Sequence, residues 1–571
     1  MKNRTIAAMF EHMADVLEFQ GKLSFKVNAY RKAARVIGDL RDDIEVVWKE
    51  GALRQIPGVG EGIAKKIDEF LKSGRMSKYE EVTKSIPEGL IELMSIQGLG
   101  PKTLALIHRE FGVKGLGDLK KVIASGALES LPGMGPKKVE NILRGIQLQA
   151  ARHGRISLGI ALPLVESIVG QLKEAHGVLH VSPAGSLRRM REDIGDVDIL
   201  TTGHTGGGII GHFVHLDHVE EVLAAGETKG SVIVEGGIQV DVRVVKPDSY
   251  GAAMQYFTGS KAHNIRLRGI ARDRGLKINE YGVFRGEKKV GGKAEEDIYA
   301  ALGLSWIPPE MREDRGEVEL AESDRLPRLV GYDDVRGDLH VHSRYSDGSA
   351  TLEEIASRAK EVGYEYVAIC DHSESVTYAG GVSPTRLVEK IEQIRAVNER
   401  ISGITLLSGI EVDIKGDGTL DCSNVLLGRL DIVVAAVHSG FKKNVTARML
   451  KAMDNPHVDV IAHPTGRLIS SREGYDVDMN AVMRKAAETG TALEINAHYD
   501  RLDLNDVSSR KAKQMGVRLA IGTDAHHIDQ LWMMKLGVAV ARRGWLERSD
   551  VINTYPLRKL LRILQKEGKG R

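Results

Sequence analysis

The chain has 571 residues, too many for one hydrophobic core, so its length predicts three or four domains. With 42% hydrophobic residues, 28% charged residues and no apolar run near the roughly 20 residues that span a bilayer, the composition excludes a membrane protein. Two cysteines are too few for a disulfide framework or a cysteine-ligated zinc site. The predicted first helix, 1 to 19, lacks the uninterrupted apolar core of a signal peptide, so we expect a cytoplasmic protein.

The net charge of +2 is unevenly distributed along the chain. Residues 1 to 150 contain 24 Lys and Arg against 19 Asp and Glu, whereas 310 to 324 contain seven acids and two arginines. We expect the first region to face phosphates and the second to be a solvated linker.

Three N-terminal segments share a pattern in which an apolar helix end leads through alternate glycines into a new helix. They are LRQIPGVGEGIAKKI (53 to 67), LMSIQGLGPKTLALI (93 to 107) and LESLPGMGPKKVENI (128 to 142). We expect the glycines to permit positive φ and to expose helix N-terminal amides to phosphate. They are Gly58, Gly60, Gly98, Gly100, Gly133 and Gly135. One such turn could be only a packed helix corner, but three copies near Lys or Arg indicate a nucleic-acid contact.

These segments resemble the helix-hairpin-helix motif, which binds nucleic-acid backbones without reading sequence, so DNA is the expected partner. A basic helix over 25 to 37 lies upstream, with Lys26 and Tyr30 on the face predicted to bind DNA. Val27, Ala34 and Ile37 are expected to face a core. The alternative is a helix whose basic face is merely solvated.

The next motif is GSLRRMREDIGDVDIL (185 to 200), in which Asp196 and Asp198 alternate along a predicted strand. A third acid, Asp241, lies in the strand IQVDVRVV (238 to 245). Alternation places carboxylates on one strand face. Three such carboxylates on adjacent strands can hold two Mg²⁺ ions and support phosphoryl transfer, so the motif predicts a nucleotidyltransferase.

Together with YFTGSKAHNIRLRGIARDRGLKINEYGVF (256 to 284), this motif resembles the family X DNA polymerases, related to polymerase beta. The resemblance implies that Asp196 and Asp198 bind two Mg²⁺ or Mn²⁺ ions and that Asp241 activates the primer 3′-hydroxyl. Gln239 stands where the family has an arginine near the third carboxylate. The residues implied for the incoming nucleotide and its base pair are Gly185, Ser186, Arg189, Gly195, Tyr256, Phe257, Gly259, Asn264 and Arg268.

The first hairpin carries a second implied site. The Schiff-base nucleophile with which some relatives remove a 5′-deoxyribose phosphate matches Lys66, and we expect Lys65 and Lys26 to be the neighbours that depress its pKa. The alternative is a solvated helix lysine. Between 203 and 223 the chain concentrates four histidines, for which a loop leading into a helix is favoured over a zinc site; they are His204, His212, His215 and His218.

From residue 336, short apolar strands alternate with amphipathic helices, which predicts parallel strands closed as a distorted (β/α) barrel. Nearly every strand ends in a potential ligand, with Glu494 or Asn496 as alternatives on the sixth. The motifs HVHSRYSD, CDHSE, GIEVD, AAVHSG, IAHPTG and GTDAH resemble the PHP (polymerase and histidinol phosphatase) domain. The implied ligands of a trinuclear Zn, Mn or Fe cluster are His340, His342, Asp347, His372, Glu411, His438, His463, Asp524 and His526. Asp338 is not expected to be a ligand.

The whole chain resembles bacterial and archaeal family X polymerases with a C-terminal PHP domain. This resemblance implies a monomeric, nucleoid-associated repair enzyme that acts on gapped or nicked duplex DNA and fills short gaps with dNTPs. Its PHP cluster would act as a 3′–5′ exonuclease, abasic endonuclease or 3′-phosphodiesterase. The alternatives are a small-molecule PHP phosphatase with a degenerate DNA-binding half and a non-catalytic DNA-end scaffold. The expected domains are a lyase-like helical domain (1–82), a helical fingers-like domain (83–150), an α+β nucleotidyltransferase palm (151–250), a thumb (251–310), a charged linker (311–335) and a PHP domain (336–571).

Overall fold

A computed structural model describes residues 2–564 apart from 23, 39–43, 50, 57–58, 85, 95–98, 132–133, 136–137, 140–141, 144–155, 236 and 470–471. The chain divides into two compact units, Met1–His153 and Gly154–Arg571. None of the helices formed by the described residues combines the length and apolar character of a membrane span.

The N-terminal unit is helical and contains two hydrophobic cores, one formed by residues between 6 and 82 and the other by residues between 90 and 142. Its helices are Lys2–Phe19, Ser24–Gly38, Ile44–Lys49, Glu61–Ser73, Ser77–Thr83, Glu88–Met94, Pro101–Phe111 and Leu116–Ala124. The predicted first helix is confirmed, with Ile6, Phe10 and Met13 buried at helical spacing. In the second helix Val27, Ala34 and Ile37 are buried, as the basic-helix prediction requires.

The second unit begins with a five-stranded mixed sheet in the order β2-β4-β7-β6-β5. These strands are β2 (Val178–Pro183), β4 (Val197–Gly203), β5 (Val219–Ala225), β6 (Lys229–Val234) and β7 (Ile238–Val245), while β1 (Ile156–Ser157) pairs separately with β3 (Asp193–Ile194). Helices Leu158–Glu174, Gly185–Arg188 and Gly206–Phe213 accompany the sheet. Alternate residues of β4 and β7, including Val197, Ile199, Val240 and Val242, are buried in the core.

A smaller subdomain follows, in which three antiparallel strands, β8 (Lys277–Asn279), β9 (Gly282–Arg285) and β10 (Lys288–Gly291), accompany four helices. The helices are Tyr250–Thr258, Lys261–Asp273, Glu296–Ala301 and Glu317–Glu322.

The prediction of a solvated linker over 310 to 324 is wrong. Met311, Val318 and Ala321 are buried in the core of this subdomain. The fully buried Arg312 lies 2.6 Å from Glu295, and the buried Glu317 lies 2.8 Å from Nδ1 of His263. Charged residues of this segment therefore have partners within the fold, which the density of acids in the sequence concealed.

The C-terminal part of the second unit is a barrel of seven parallel strands arranged in chain order. The strands are β11 (Gly337–Val341), β12 (Tyr366–Ile369), β13 (Thr405–Asp413), β14 (Ile432–Ala436), β15 (Val460–Ile461), β16 (Ala492–Asn496) and β17 (Leu519–Gly522). The barrel nearly closes because the amide of His342 donates to the carbonyl of Ala525 and the amide of Asp524 to that of His340. The predicted distorted (β/α) barrel is confirmed.

Helices cover the outside of this barrel. They are Leu352–Glu361, Pro384–Arg400, Asn424–Leu427, Val445–Met453, Met479–Thr489, Asp506–Gln514, Met534–Arg543 and Leu557–Leu564. A buried ion pair attaches helix Pro384–Arg400 to the barrel. Nζ of Lys390, on this helix, lies 3.0 Å from Asp371 and also donates to the carbonyls of Ile369 and Gly409. The helix is therefore held by a charge that cannot be removed without exposing its partner to an apolar core.

We predict that Lys390→Met lowers the free energy of unfolding by about 3 kcal/mol, because it leaves the Asp371 carboxylate buried without its counter-charge. Urea unfolding followed by circular dichroism would measure the change. Arg395→Met is the matched control, since Arg395 lies on the same helix in an exposed pair with Glu392. Equal losses in the two variants would contradict the prediction.

Candidate active sites

The first site is a group of carboxylates on the mixed sheet. Strands β4 and β7 are parallel neighbours, and their register pairs Asp198 with Asp241. Asp196 lies two residues before Asp198 and is exposed. The loop that precedes the strand comes close to these acids: a Cβ on Gly185, which has φ +60°, would lie 2.9 Å from Oδ2 of Asp198. Only glycine fits there, and the structure thus brings Asp198, Asp241 and Gly185 together.

The charges of this group suit a cation. Burial, followed by the charges of Asp196 and Asp241, raises the pKa of Asp198 to about 6. Burial would also raise the pKa of Asp241, but hydrogen bonds from Lys229 (2.7 Å) and Gln239 (3.0 Å) outweigh it and hold that pKa below its usual value. A divalent cation would stabilise the ionised form of such a partly buried carboxylate, which is otherwise disfavoured by the neighbouring carboxylates.

Lys229 was missing from the sequence analysis. It lies on β6, and its ammonium supplies positive charge at the third carboxylate, where Gln239 stands in place of the family's arginine. No local pattern pointed to it, because only the pairing of β6 with β7 brings it to Asp241.

The residues implied for nucleotide binding surround the same loop. Arg189 donates from Nη1 to the carbonyl of Thr258, and its Nε lies 3.1 Å from Glu313. Arg188 instead forms a bidentate pair with Glu295. Ser186 lies in the short helix that Gly185 begins, and Gly195 directly precedes Asp196.

The other implied nucleotide-site residues come from two successive helices. Tyr256 and Phe257 meet edge to face, with 5.1 Å between ring centroids, at the end of helix Tyr250–Thr258. Asn264 donates to the carbonyl of Tyr256 at 2.7 Å, while Arg268 is exposed on helix Lys261–Asp273. A Cβ on Gly259 would lie 3.1 Å from Nη1 of Arg189, so this glycine lies beside the arginine that the sequence implied for the triphosphate.

The histidines of 203 to 223 do not form a group among the described residues. His212 lies on helix Gly206–Phe213 with Nε2 3.2 Å from the carbonyl of Gln171, whereas Nε2 of His218 lies 3.1 Å from the Ser167 hydroxyl. Nδ1 of His215 lies 2.7 Å from the carbonyl of Gly211. The favoured loop-and-helix interpretation is therefore consistent with the structure, although the segment ends in strand β5.

The second site lies at the carboxyl ends of the barrel strands. Three groups of side chains each bring their ligand atoms within 4.8 Å of one another: His342, Asp347, His372 and His526; His340, His342 and Asp524; and His372, Glu411 and His438. These groups contain eight of the nine residues implied as ligands. The ninth, His463, has Nε2 3.1 Å from Oε1 of Glu411. The structure therefore brings all nine together.

The polar atoms of this cluster are buried mainly against one another, an arrangement that fits metal ions. Oε2 of Glu411 lies 2.7 Å from Nδ1 of His372, and Nδ1 of His438 lies 3.4 Å from Asp413. Among the described residues, Nδ1 of His463 is buried without a hydrogen-bond partner. Buried polar atoms normally have one. Histidine and carboxylate ligands suit divalent transition metals. His463 and Asp524 also adopt positive φ, a conformation that non-glycine residues rarely hold outside functional sites.

Electrostatics in the cluster follow from burial. Burial, together with the charges of His526 and His372, lowers the pKa of His342 to about 4, which keeps its imidazole neutral as a ligand must be. For His372, burial is outweighed by Glu411 and Asp347, which raise the pKa to about 10. The protonated His372 ring therefore carries a positive charge next to the carboxylates of Glu411 and Asp347.

Supporting residues orient these ligands. Glu494, which the sequence offered only as an alternative ligand, accepts from Nδ1 of His340 at 2.7 Å and from the amide of His463 at 2.6 Å. Asp338 accepts hydrogen bonds from Thr523 and the His340 amide, so its oxygens are used within the barrel. Second-layer contacts of this kind fix the ring that faces a metal.

Arg501 is a residue that the sequence analysis missed. Its Nε lies 3.4 Å from Asp524, while its Nη1 is buried with no hydrogen-bond partner among the described residues. An unpaired guanidinium nitrogen beside the cluster could donate a hydrogen bond to a phosphate oxygen. One arginine after a strand end carries no sequence signal of such a role.

The N-terminal unit holds a third site, a cavity of about 770 Å³ lined by Lys22, Lys26, Tyr30, Lys66 and Lys78 among others. Nζ of Lys66 donates to the carbonyl of Gly62 at 2.8 Å and lies 5.8 Å from the Tyr30 ring centroid. Burial, followed by the charge of Lys78, lowers the pKa of Lys66.

The structure corrects the neighbours expected for Lys66. Lys26 shares the cavity, but Lys65 pairs with Glu61 at 2.8 Å and is not part of the lining. Lys78, from the next helix, is the cation that lowers the Lys66 pKa. Lys65 is adjacent to Lys66 in the chain, but successive helix residues point in different directions.

The hairpin glycines Gly60 and Gly100 do not adopt the positive φ that the sequence predicted. Gly60 and Gly100 precede helices Glu61–Ser73 and Pro101–Phe111 with φ of −77° and −57°, so neither needs positive φ. A Cβ on Gly60, Gly100 or Gly135 would meet no described atom within 4 Å. These glycines leave the space before a helix N-terminus open, which a phosphate requires. Gly58, Gly98 and Gly133 lie outside the described residues.

Comparisons with known proteins match four separate stretches of the chain to family models. Family models match as helix-hairpin-helix domain over residues 1–76, SAM-like helix-hairpin-helix tandem over 90–147, DNA polymerase beta thumb over 253–313 and PHP domain over 338–498. A protein named DNA polymerase/3'-5' exonuclease PolX, from Bacillus subtilis (strain 168), is 38% identical over 575 residues, covering 99% of this chain and 100% of that protein. The chain belongs to the family X DNA polymerases that carry a PHP domain. Membership of this family implies divalent metal ions, DNA and nucleotides as its ligands.

Other relatives match only the C-terminal part. A probable phosphatase of Thermoanaerobacter sp. (strain X514) is 29% identical over 38% of this chain and 89% of its own length. A probable phosphatase of Syntrophotalea carbinolica is 32% identical over 33% of this chain and 79% of its own length. The PHP domain of this family X polymerase therefore also resembles proteins that lack the polymerase part.

We predict that Gly522→Ala weakens metal binding at the PHP centre, because its Cβ would lie 2.4 Å from both Oε1 of Glu494 and Cβ of His340. Elemental analysis of metal retained per chain after dialysis would measure the loss. Gly416→Ala is the control, since a Cβ there meets no described atom within 4 Å. Wild-type metal content in Gly522→Ala would show that the close packing of Gly522 is not needed.

Proposed function

We propose that this chain is a repair polymerase that fills short gaps in duplex DNA by template-directed nucleotidyl transfer and trims 3′ ends with its PHP centre. One observation carries the proposal: a single chain holds two separate groups of side chains of the types that ligate metal ions. One is the Asp196, Asp198 and Asp241 group, and the other is the nine-residue cluster of the barrel. We further propose that the chain acts as a monomer on gapped or nicked DNA with dNTPs.

In the polymerase centre, Asp196 and Asp198 would hold two divalent ions, Mg²⁺ or Mn²⁺, whose chemistry is to align and neutralise the attacking and leaving oxygens. Asp241 would accept the proton of the primer 3′-hydroxyl. Its lowered pKa keeps it ionised, and Lys229 stabilises that charge before substrate arrives. Ser186 and Arg189 would hold the triphosphate, and Tyr256 and Phe257 would bound the sugar.

In the PHP centre, Zn, Mn or Fe ions held by the nine ligands would supply Lewis acidity for phosphoester hydrolysis. The lowered pKa of His342 keeps its imidazole neutral, and Glu494 fixes the ring of His340, so these two side chains would be oriented for metal binding. The free Nη1 of Arg501 would bind the scissile phosphate. A 3′-terminal phosphodiester, an abasic site or a 3′-phosphoglycolate-type block would fit this chemistry.

Two other functions are less well supported. A small-molecule phosphatase is suggested by the relatives named probable phosphatase, but they match about a third of the chain and leave the palm carboxylates unexplained. A non-catalytic scaffold leaves unexplained the nine histidine and carboxylate side chains gathered in the barrel. The presence of two separate groups of ligand-type side chains favours an enzyme with two activities.

We predict that the two activities separate by mutation. Asp198→Ala should abolish extension on a one-nucleotide-gapped duplex and leave trimming of a 3′-labelled strand unchanged, because it removes only a polymerase-centre carboxylate. His342→Ala should do the reverse, since His342 belongs to two of the three ligand groups. The expected loss is at least about 10³-fold in each affected activity, the scale of removing a central electrostatic stabiliser.

Thermal unfolding of both variants would control for global damage. Loss of both activities in a well-folded Asp198→Ala or His342→Ala protein would overturn the two-centre model. Extension by neither variant nor wild type would overturn the polymerase assignment itself.

A specific observation favours an additional lyase activity. The cavity of the N-terminal unit combines Lys66, whose pKa is lowered, with Lys22, Lys26 and Lys78 around space for a sugar phosphate. An unprotonated amine adds to an aldehyde carbon and the carbonyl oxygen leaves as water, which gives a Schiff base, while surrounding cations bind the phosphate. We propose that this cavity removes 5′-deoxyribose phosphate.

We predict that borohydride trapping on an abasic substrate disappears in Lys66→Ala and persists in Lys65→Ala, whose side chain pairs with Glu61 outside the cavity. Lys78→Ala should move the midpoint of the trapping-versus-pH curve upward. The sign follows because the Lys78 charge lowers the Lys66 pKa, so its removal restores a higher value. Trapping that survives in Lys66→Ala would move the nucleophile elsewhere.

A further inference from the structure

We propose that Arg543, in a helix of the PHP domain, is a positioning residue for the polymerase centre. It holds Glu313 and the backbone of Arg189, the arginine assigned to the incoming triphosphate. The inference rests on the proposed polymerase function, and it makes the PHP domain a structural part of the nucleotide site rather than only a second catalytic module.

Arg543 ends helix Met534–Arg543, and its side chain is only 5% exposed. From Nη1 it donates to the carbonyl of Arg189 at 2.8 Å and to Oε1 of Glu313 at 3.0 Å. From Nη2 it donates to Asp506 at 2.8 Å. Asp506 belongs to the PHP domain and is anchored in turn by Arg315 at 3.0 Å. One buried guanidinium therefore joins three acceptors from both parts of the second unit.

Glu313 is the shared element of this arrangement. Its Oε1 lies 3.1 Å from Nε of Arg189 and 3.0 Å from Nη1 of Arg543. The Glu313 and Arg189 side chains are 11% and 12% exposed, so these contacts are made where solvent screens charge weakly. A single carboxylate thus divides its charge between a polymerase-site arginine and a PHP-domain arginine.

This division sets how firmly Arg189 is held. A bound triphosphate must compete with Glu313 for the Arg189 guanidinium. While Arg543 neutralises part of the Glu313 charge, that competition is mild, and the hydrogen bond to the Arg189 carbonyl keeps the backbone in place. Without Arg543, Glu313 would interact with Arg189 alone and hold it away from the nucleotide, and the carbonyl would lose its donor. Weaker nucleotide binding is the consequence.

The test uses the full-length protein on a one-nucleotide-gapped duplex with varied dNTP concentration. We expect Arg543→Ala to raise the KM for dNTP about tenfold and to change kcat by less than about twofold, the scale of one lost charge-assisted hydrogen bond. Trimming of a 3′-labelled strand should stay at the wild-type rate. Arg543→Lys, which keeps the charge but not the fork of donors, should give an intermediate KM.

Arg542→Ala is the matched control. Arg542 precedes Arg543 on the same helix and joins the PHP domain to Glu310 at 2.7 Å and to the Val330 carbonyl, without reaching Arg189. It should leave the KM for dNTP at the wild-type value. An equal rise in Arg542→Ala would mean that general loosening of the interface is responsible, and would overturn the specific role of Arg543.

A double variant tests the route through Glu313. In a Glu313→Gln background the competing charge is gone, so adding Arg543→Ala should raise KM by less than about threefold, since two residues of one network are not additive. A full tenfold rise in that background, or an unchanged KM in a folded Arg543→Ala protein, would refute the inference. Absence of extension by wild type would instead refute the polymerase function.

Discussion

Negative charge held next to buried strands is the constraint on which both centres depend. Asp198 and Asp241 lie on strands whose alternate residues form the core, and Glu411 and Asp524 are buried among the histidines of the barrel. Such charges are costly unless cations or donors neutralise them. In the palm, Lys229 and Gln239 serve Asp241; in the barrel, imidazoles serve Glu411. In both centres, divalent metal ions would neutralise the remaining carboxylate charge.

The barrel centre was largely predictable because its ligands obey a local rule. Each comes within a few residues of the end of an apolar strand, and parallel strands bring those ends to one face whatever lies between them. Asp198 and Asp241 were predictable for a related reason. Alternation along a strand determines which face a side chain is on, and the pairing of β4 with β7 brings the two carboxylates next to each other. The fold class followed from the same periodicities.

What could not be predicted depends on contacts between residues far apart in the chain. Lys229 reaches Asp241 only through strand pairing, and Lys78 reaches Lys66 only through the packing of helices. The acid-rich segment after residue 310 misled for the opposite reason. Its composition indicates solvent, but its apolar residues are buried and its charged residues have buried partners: Arg312 pairs with Glu295, and Glu317 pairs with His263. Composition averages over the faces that packing distinguishes.

His342 and His372 each belong to two of the three ligand groups in the barrel. The two histidines therefore connect the three groups, so a metal ion bound in one group would share a ligand residue with an ion bound in the next. The palm shares no ligand residue with the barrel, so a substitution at either histidine would alter the barrel's metal content without touching the palm carboxylates.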